Sequence, residues 1–130
     1  MSTTISLPGK LIYSDENADL FSISEDLVHV IYKCPVLDVK QAQPVVEQRI
    51  TNCHNKPIAL LADIAKVKTV SKEAREYLAS RGTVLLTKNA IIISSEVNKV
   101  LANFYLRIDK PKTPTRFFTN STDAIDWLFE

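Results

Sequence analysis

The chain has 130 residues, 45% of them apolar and 24% charged, with a formal net charge of +1. That length fits one domain able to bury about two-thirds of its unfolded surface. The near-neutral charge argues against nucleic-acid binding, which needs a dense cationic face, and leaves little repulsion between copies.

No segment reaches the roughly 20 apolar residues needed to span a bilayer, so no stable membrane insertion is expected. Met1 to Lys10 lacks the apolar stretch of a signal peptide. Cys34 and Cys53 have no second pair with which to build a disulfide framework or a zinc site. The expectation is a cytoplasmic protein with neither metal nor cofactor.

Residues 1–9 read as an N-terminal arm. Lys10 to Ser14, Leu20 to Ser24 and Leu27 to Lys33 then read as strands of a β-meander, with Ser24-Glu25-Asp26 as a hairpin turn. The third carries Val28, Val30 and Tyr32 on one side and Leu27, His29 and Ile31 on the other, as an interior strand does. From Val39 the period becomes helical. Val39, Ala42, Val46, Ile50 and Cys53 mark an inner face, leaving Lys40, Gln43, Glu47 and Arg49 to solvent. Pro57 ends this helix, and Ile58 to Ala62 is a buried strand.

A seven-residue link after Asp63 leads to Ser71, which caps a second helix with Glu73 in its first turn. Ala74, Tyr77, Leu78, Val84 and Leu85 give that helix a broken apolar stripe, which Gly82 ends or weakens. Ala90 to Ile93 is the next strand. After Ser94-Ser95, the residues Val97, Val100, Leu101, Phe104 and Ile108 predict one core-facing stripe up to Pro111. Thr115 to Thr119 is the last strand. Asn120, Ser121 or Thr122 caps a terminal helix that turns Ala124, Ile125, Leu128 and Phe129 inward. The order is a β-meander followed by αβαβαβα, which implies a single α/β domain with helices packed on a mixed sheet.

Three blocks carry a family resemblance: Leu60-Leu61-Ala62-Asp63-Ile64 through to Ser71; Asn89 to Ser94 with Val100 to Tyr105; and Pro114 to Thr119 with Ala124 to Leu128. Together they resemble the STAS superfamily, the fold of bacterial anti-sigma factor antagonists, and within it the SpoIIAA-like proteins related to SEC14-like domains. The resemblance implies a single SpoIIAA-like domain over residues 1–130. Family antagonists carry an Asp-Ser-Ser-Gly-like element whose serine is phosphorylated. Here the corresponding residues are Ser71-Lys72-Glu73-Ala74, so Lys72 and Glu73 stand where the serines would be. The fold transfers; the phosphorylation switch does not.

Asp63, Thr69, Ser71, Lys72 and Arg75 form one candidate face for a partner protein or a second copy of the chain. In a parallel sheet Ser94, Ser95, Thr119 and Asn120 fall at the same edge, where converging helix N-termini would favour an anion. The structural reading is equally direct: Asp63 ties down the link after it and the hydroxyls are caps. His29 and His54 have no recognisable catalytic partner, and Cys34 and Cys53 read as small buried residues. Arg107, Lys110, Lys112 and Arg116 surround the loop from Pro111 to Pro114 and suit either solvent or an acidic partner. Phe104 and Phe118 fit core positions, whereas Tyr105 and Trp127 lie off the stripes, as surface residues would.

The functional expectation is a non-enzymatic interaction or regulatory module. The alternative is a carrier or sensor of a small apolar or anionic, lipid-like ligand. It would use a SEC14-like pocket formed around Tyr77, Leu85, Val100, Phe104 and Trp127. An enzyme is the least supported reading, because the titratable residues are scattered.

Overall fold

A computed structural model describes residue 7 and residues 9–130, so the arm read over residues 1–9 lies almost wholly outside the described residues. Strands β1 (Lys10–Ser14), β2 (Ala18–Ser24) and β3 (Leu27–Tyr32) form the antiparallel meander. The strands β5 (Ile58–Asp63), β7 (Leu86–Ile92) and β8 (Thr115–Phe118) then add in parallel, giving the order β1-β2-β3-β5-β7-β8. A short parallel pair, β4 (Val36–Leu37) with β6 (Thr69–Val70), stands apart from the main sheet.

The helices are α1 (Val39–Asn52), α2 (Lys72–Ala79), α3 (Glu96–Phe104) and α4 (Ser121–Leu128). A 3₁₀ turn, Arg81–Thr83, follows α2, and a π-helical turn, Tyr105–Asp109, continues α3. The alternation of side chains along each strand divides the core in two. Leu20, Val28, Val30, Ile58 and Ala62 pack with Ala42 and Val45 of α1 and with Tyr77 and Leu78 of α2. Further along that face, Ile91 and Ile93 meet Ala79, Ala102 and Tyr105. The opposite face, with Leu27, Ala59, Leu61 and Ala90, is covered by Ala124 and Leu128 of α4. Alanines at Ala59, Ala90 and Ala124 let α4 lie close to the strands.

This is the α/β architecture with a mixed sheet that the hydrophobic pattern implies. Two helices nevertheless depart from their expected settings, α1 at one residue, since Ala42, Val46 and Cys53 are buried as expected, and α3 over most of its stripe. On α1 the buried residues are Ala42, Val45, Val46 and Arg49, so Arg49 points into the core rather than to solvent. Of the five residues of the expected core stripe only Leu101 packs against the core; Val97, Val100 and Phe104 of α3, and Ile108 in the turn after it, are exposed. Asn98 and Ala102 face inward in their place, followed by Tyr105.

The cause on α3 is a hydrogen-bonded anchor. Asn98 is 1% exposed; its Oδ1 accepts from the Ser94 backbone N–H (3.0 Å) and its Nδ2 donates to the Val67 carbonyl (2.8 Å). Turning the valines inward would bring Asn98 out and leave those two backbone groups unpaired, at a cost of about 1–3 kcal/mol each. Phe104 and Tyr105 accordingly exchange their expected places, at 46% and 8% exposure. Trp127 is half-buried against Phe118, with ring centroids 5.7 Å apart, and Phe129 at the end of α4 is exposed rather than inward.

Candidate functional site

The β5-to-α2 segment shows how the predicted surface residues are used. Asp63 ends β5 and accepts the Ala65 N–H at 2.9 Å, closing the first turn of the link. Val67 then plugs the core at 1% exposure. Pairing of β6 with β4 sets Thr69 opposite Val36 and Val70 opposite Leu37, which brings the starts of α1 and α2 together. There Ser71 Oγ accepts the Ala74 N–H (3.0 Å) and donates to Asp38 Oδ1 (2.7 Å). Asp38 is itself the cap of α1, accepting from Val39 N–H while Gln41 reaches back to it. The Ser71 hydroxyl and the Val39 amide hold the Asp38 carboxyl below its usual pKa.

Thr69 is exposed, and Lys72 is exposed with only a 3.8 Å approach to Glu76. Arg75 is not a loose surface cation. Its Nε donates to Asp109 at 2.9 Å, its Nη1 donates to the Val70 carbonyl, and its guanidinium lies 4.7 Å from the centre of the Phe104 ring. It ties α2 to the turn that follows α3.

The register places the ends of β5, β7 and β8 at one sheet edge, with Asp63 beside Ile92 and Ile92 beside Phe118. Ser94, Ser95, Thr119 and Asn120 therefore share that edge with Asp63. Ser95 accepts the Asn98 N–H, Asn120 accepts the Asp123 N–H, and Ser94 is bound to Asn98. Thr119 is exposed. Apart from Thr119, these groups are engaged as caps and turn closures.

The chemically distinctive place lies in the interior. Between the sheet and α1–α3 is a cavity of about 90 Å³. Its wall is largely apolar, with Leu20, Val30, Leu60, Ile91 and Leu101 among its residues. None of Tyr77, Leu85, Val100, Phe104 and Trp127 lines it. Val100 and Phe104 face outward, and Trp127 sits with α4 on the other side of the sheet.

Five polar residues line this cavity at its sheet and helix walls: Tyr32, Arg49, Arg75, Asn89 and Tyr105. Burial raises the pKa of both tyrosines, so they stay neutral phenols. Arg49 is 2% exposed, and its Nη2 donates to the Gly82 carbonyl at 3.1 Å. Among the described residues its Nη1 has no partner, and neither has Oδ1 of Asn89, which is 8% exposed.

The acid one turn-face away does not serve Arg49. Glu47 makes two bonds to Arg81, at 2.9 and 2.8 Å, and accepts from the Tyr77 hydroxyl. Arg81 and Tyr77 hold the Glu47 carboxyl down at about 2. Desolvation lowers the pKa of Arg49, yet a guanidinium remains charged in proteins. The interior thus contains a cation with no carboxylate in contact among the described residues.

Sequence reading missed Arg49, Asn89 and Asn98. The spacing held a signal for the first: Arg49 lies seven residues after Ala42, four after Val45 and three after Val46, all on the inner side of α1. A second cleft, of about 430 Å³, lies beside the far end of α1 and includes Cys53 and His54. It is lined by Ser24, Glu25, Asn52 and Lys56, all exposed to solvent. Cys34 and Cys53 are both buried thiols. Among the described residues no three His, Cys, Asp or Glu side chains converge to hold a metal, and no helix is long and apolar enough to cross a membrane.

Residues 21–130 match the family described as Domain of unknown function (DUF7793), and the chain belongs to that family. Among solved structures, the chain is similar to an uncharacterized protein of the DUF3478 family from Shewanella loihica PV-4, described as having a SpoIIAA-like fold. The two share 19% identity with a TM-score of 0.61, over 90% of this chain and 98% of that one. The fold is therefore SpoIIAA-like, as the three sequence blocks imply. No curated protein matches the chain.

Proposed function

We propose that the chain is a non-enzymatic, cytoplasmic STAS-type interaction module that pairs with a second copy of itself through the outer face of α3. One observation carries this reading: Val97, Val100 and Phe104 on α3 and Ile108 in the turn after it are all exposed large apolar residues, with Val100 63% exposed. Scattered exposed apolar residues are ordinary, but an aligned stripe marks an interaction surface. A net charge of +1 adds little repulsion between copies. The absence of a family phosphoacceptor at Lys72-Glu73 accords with a constitutive contact rather than a phosphorylation switch.

The non-enzymatic part rests on the interior chemistry. Tyr32, Tyr105 and Arg49 do not exchange a proton near neutral pH, so the cavity lacks a poised general base. Sedimentation of the wild type over a range of concentrations tests the pairing, beside Val100→Glu and Ile108→Glu. The expected result is a dimer that both variants dissociate with unchanged circular dichroism. A wild type monomeric throughout, or variants that dimerise normally, would remove α3 as the contact.

A second reading is favoured by the cavity itself. A small ligand held between the sheet and α1–α3 would make the module a carrier or sensor. Native mass spectrometry of freshly purified protein tests it by the presence of a bound small molecule.

A further inference from the structure

The cavity between the sheet and α1–α3 is lined mainly by apolar side chains, and of its polar residues Arg49 and Asn89 each end in an atom with no partner among the described residues. Native interiors pair nearly all such groups. Of the two, Arg49 Nη1 is a donor on a cation and calls for an acceptor, whereas Asn89 Oδ1 is itself an acceptor and offers nothing to an anion. An unpaired buried charge costs several kcal/mol, and a well-placed counter-ion recovers much of it. We propose that the cavity binds a short-chain monocarboxylate whose carboxylate pairs with Arg49 and whose alkyl part fills the apolar wall. This rests on the ligand-binding reading of the same cavity and adds the chemistry of the ligand.

The charge count selects the class. Glu47 is held by Arg81 and Tyr77, and the second guanidinium of the lining, Arg75, is paired with Asp109, so Arg49 is the lining cation left without a carboxylate among the described residues, with Nη2 already given to Gly82. A single charge-assisted bond from Nη1 matches a monoanion. A phosphate dianion would bring a second charge and further acceptors into apolar surroundings that cannot solvate them. Size limits the length. An engineered closed cavity of roughly 150 Å³ holds benzene, with six non-hydrogen atoms, so about 90 Å³ scales to about four; this cavity is partly open, which lets the end of a slightly longer acid such as butyrate extend beyond it.

Isothermal titration calorimetry of the full chain with sodium butyrate, butyramide and sodium phosphate, at equal ionic strength, tests this. Butyrate is expected to bind at least about tenfold more tightly than the isosteric butyramide, the worth of one charge-assisted hydrogen bond. Phosphate is expected to give no saturable heat. Arg49→Met should fold with an unchanged or higher Tm, since an apolar residue relieves a buried charge, and should lose the preference for butyrate. Arg49→Lys keeps the charge and should retain that preference at lower affinity. Equal binding of butyrate and butyramide would overturn the carboxylate while leaving a ligand cavity in place. Binding of neither would overturn both, leaving Arg49 as an anchor for the Gly82 carbonyl only. Tighter binding of phosphate would replace the class with a dianion and so overturn the proposal.

Discussion

α3 and α4 have nearly the same design on paper and opposite settings in the fold. Each begins with a polar cap, Ser95 or Asn120, and has an acidic residue in its first turn, Glu96 or Asp123. Each carries an apolar stripe. α4 turns Ala124 and Leu128 onto Ala59, Leu61 and Ala90, whereas α3 turns its valines and Phe104 to solvent. The difference is Asn98, for which α4 has no counterpart. A buried amide that pairs two backbone groups is worth about 2–6 kcal/mol, the same order as burying two apolar side chains, so Asn98 competes with the stripe for the inner face. In this fold the amide holds that face, and the rotation of α3 follows it.

The sharpest way to break the comparison is to remove the apolar anchor of α4. Leu128→Ala should cost about 3 kcal/mol, since it deletes a buried leucine at 5% exposure from a closely packed layer. Denaturant unfolding would measure it. A loss below about 1 kcal/mol would mean that α4 packs less tightly than its alanine contacts imply.

Asn98→Ala should come next, at about 2 kcal/mol, by stranding the Ser94 N–H and the Val67 carbonyl. It should also free α3 to rotate, so hydrogen exchange at the amides of α3 should rise more than elsewhere. Uniform protection across α3 in this variant would show that other contacts, such as the Arg75 clamp on Phe104, fix the rotation.

Such ties explain what was legible in the sequence. Strand alternation at Leu27–Tyr32 and the apolar run Ile58–Asp63 report the sheet directly, because every second residue meets a helix layer. Caps at Ser71, Ser95 and Asn120 were readable because the bond is local, three residues away. Arg49 and Asn98 were not, because their partners Gly82 and Val67 lie 33 and 31 residues distant. Hydrophobicity assigns an arginine to solvent and a valine stripe to the core, and both assignments failed where a polar side chain found a remote backbone partner. The cavity was hidden for the same reason: its polar pole is made by residues that composition places outside.

His29 sharpens the contrast through pH. It lies on the sheet face that α4 partly covers, buried at 6% exposure with no partner for Nδ1 among the described residues, its ring tilted against Phe21 with centroids 6.0 Å apart. Desolvation lowers its pKa, only partly offset by the Asp63 carboxylate. The unfolded chain takes up this proton near pH 6.5, above the folded value, so the unfolded state binds more protons between the two. Stability that is complete above pH 6.5 should therefore fall as acid is added through that window. Thermal unfolding from pH 7.5 to 5 would show it, and His29→Leu should flatten the slope. An unchanged slope would assign it to other groups.

The smallest predicted effect on stability is the most telling one for function. Val100 is as apolar as the residues beneath α4, yet it is 63% exposed. Val100→Ala should therefore change the unfolding free energy of the monomer by less than about 0.5 kcal/mol, as surface substitutions do. If α3 is the contact between copies, the same change should weaken self-association measurably, because the lost area belongs to the interface. Measuring both quantities on one variant separates a core role from a contact role. A cost of 1 kcal/mol or more in the dissociated chain would show that Val100 packs within its own fold, and the asymmetry between α3 and α4 would close.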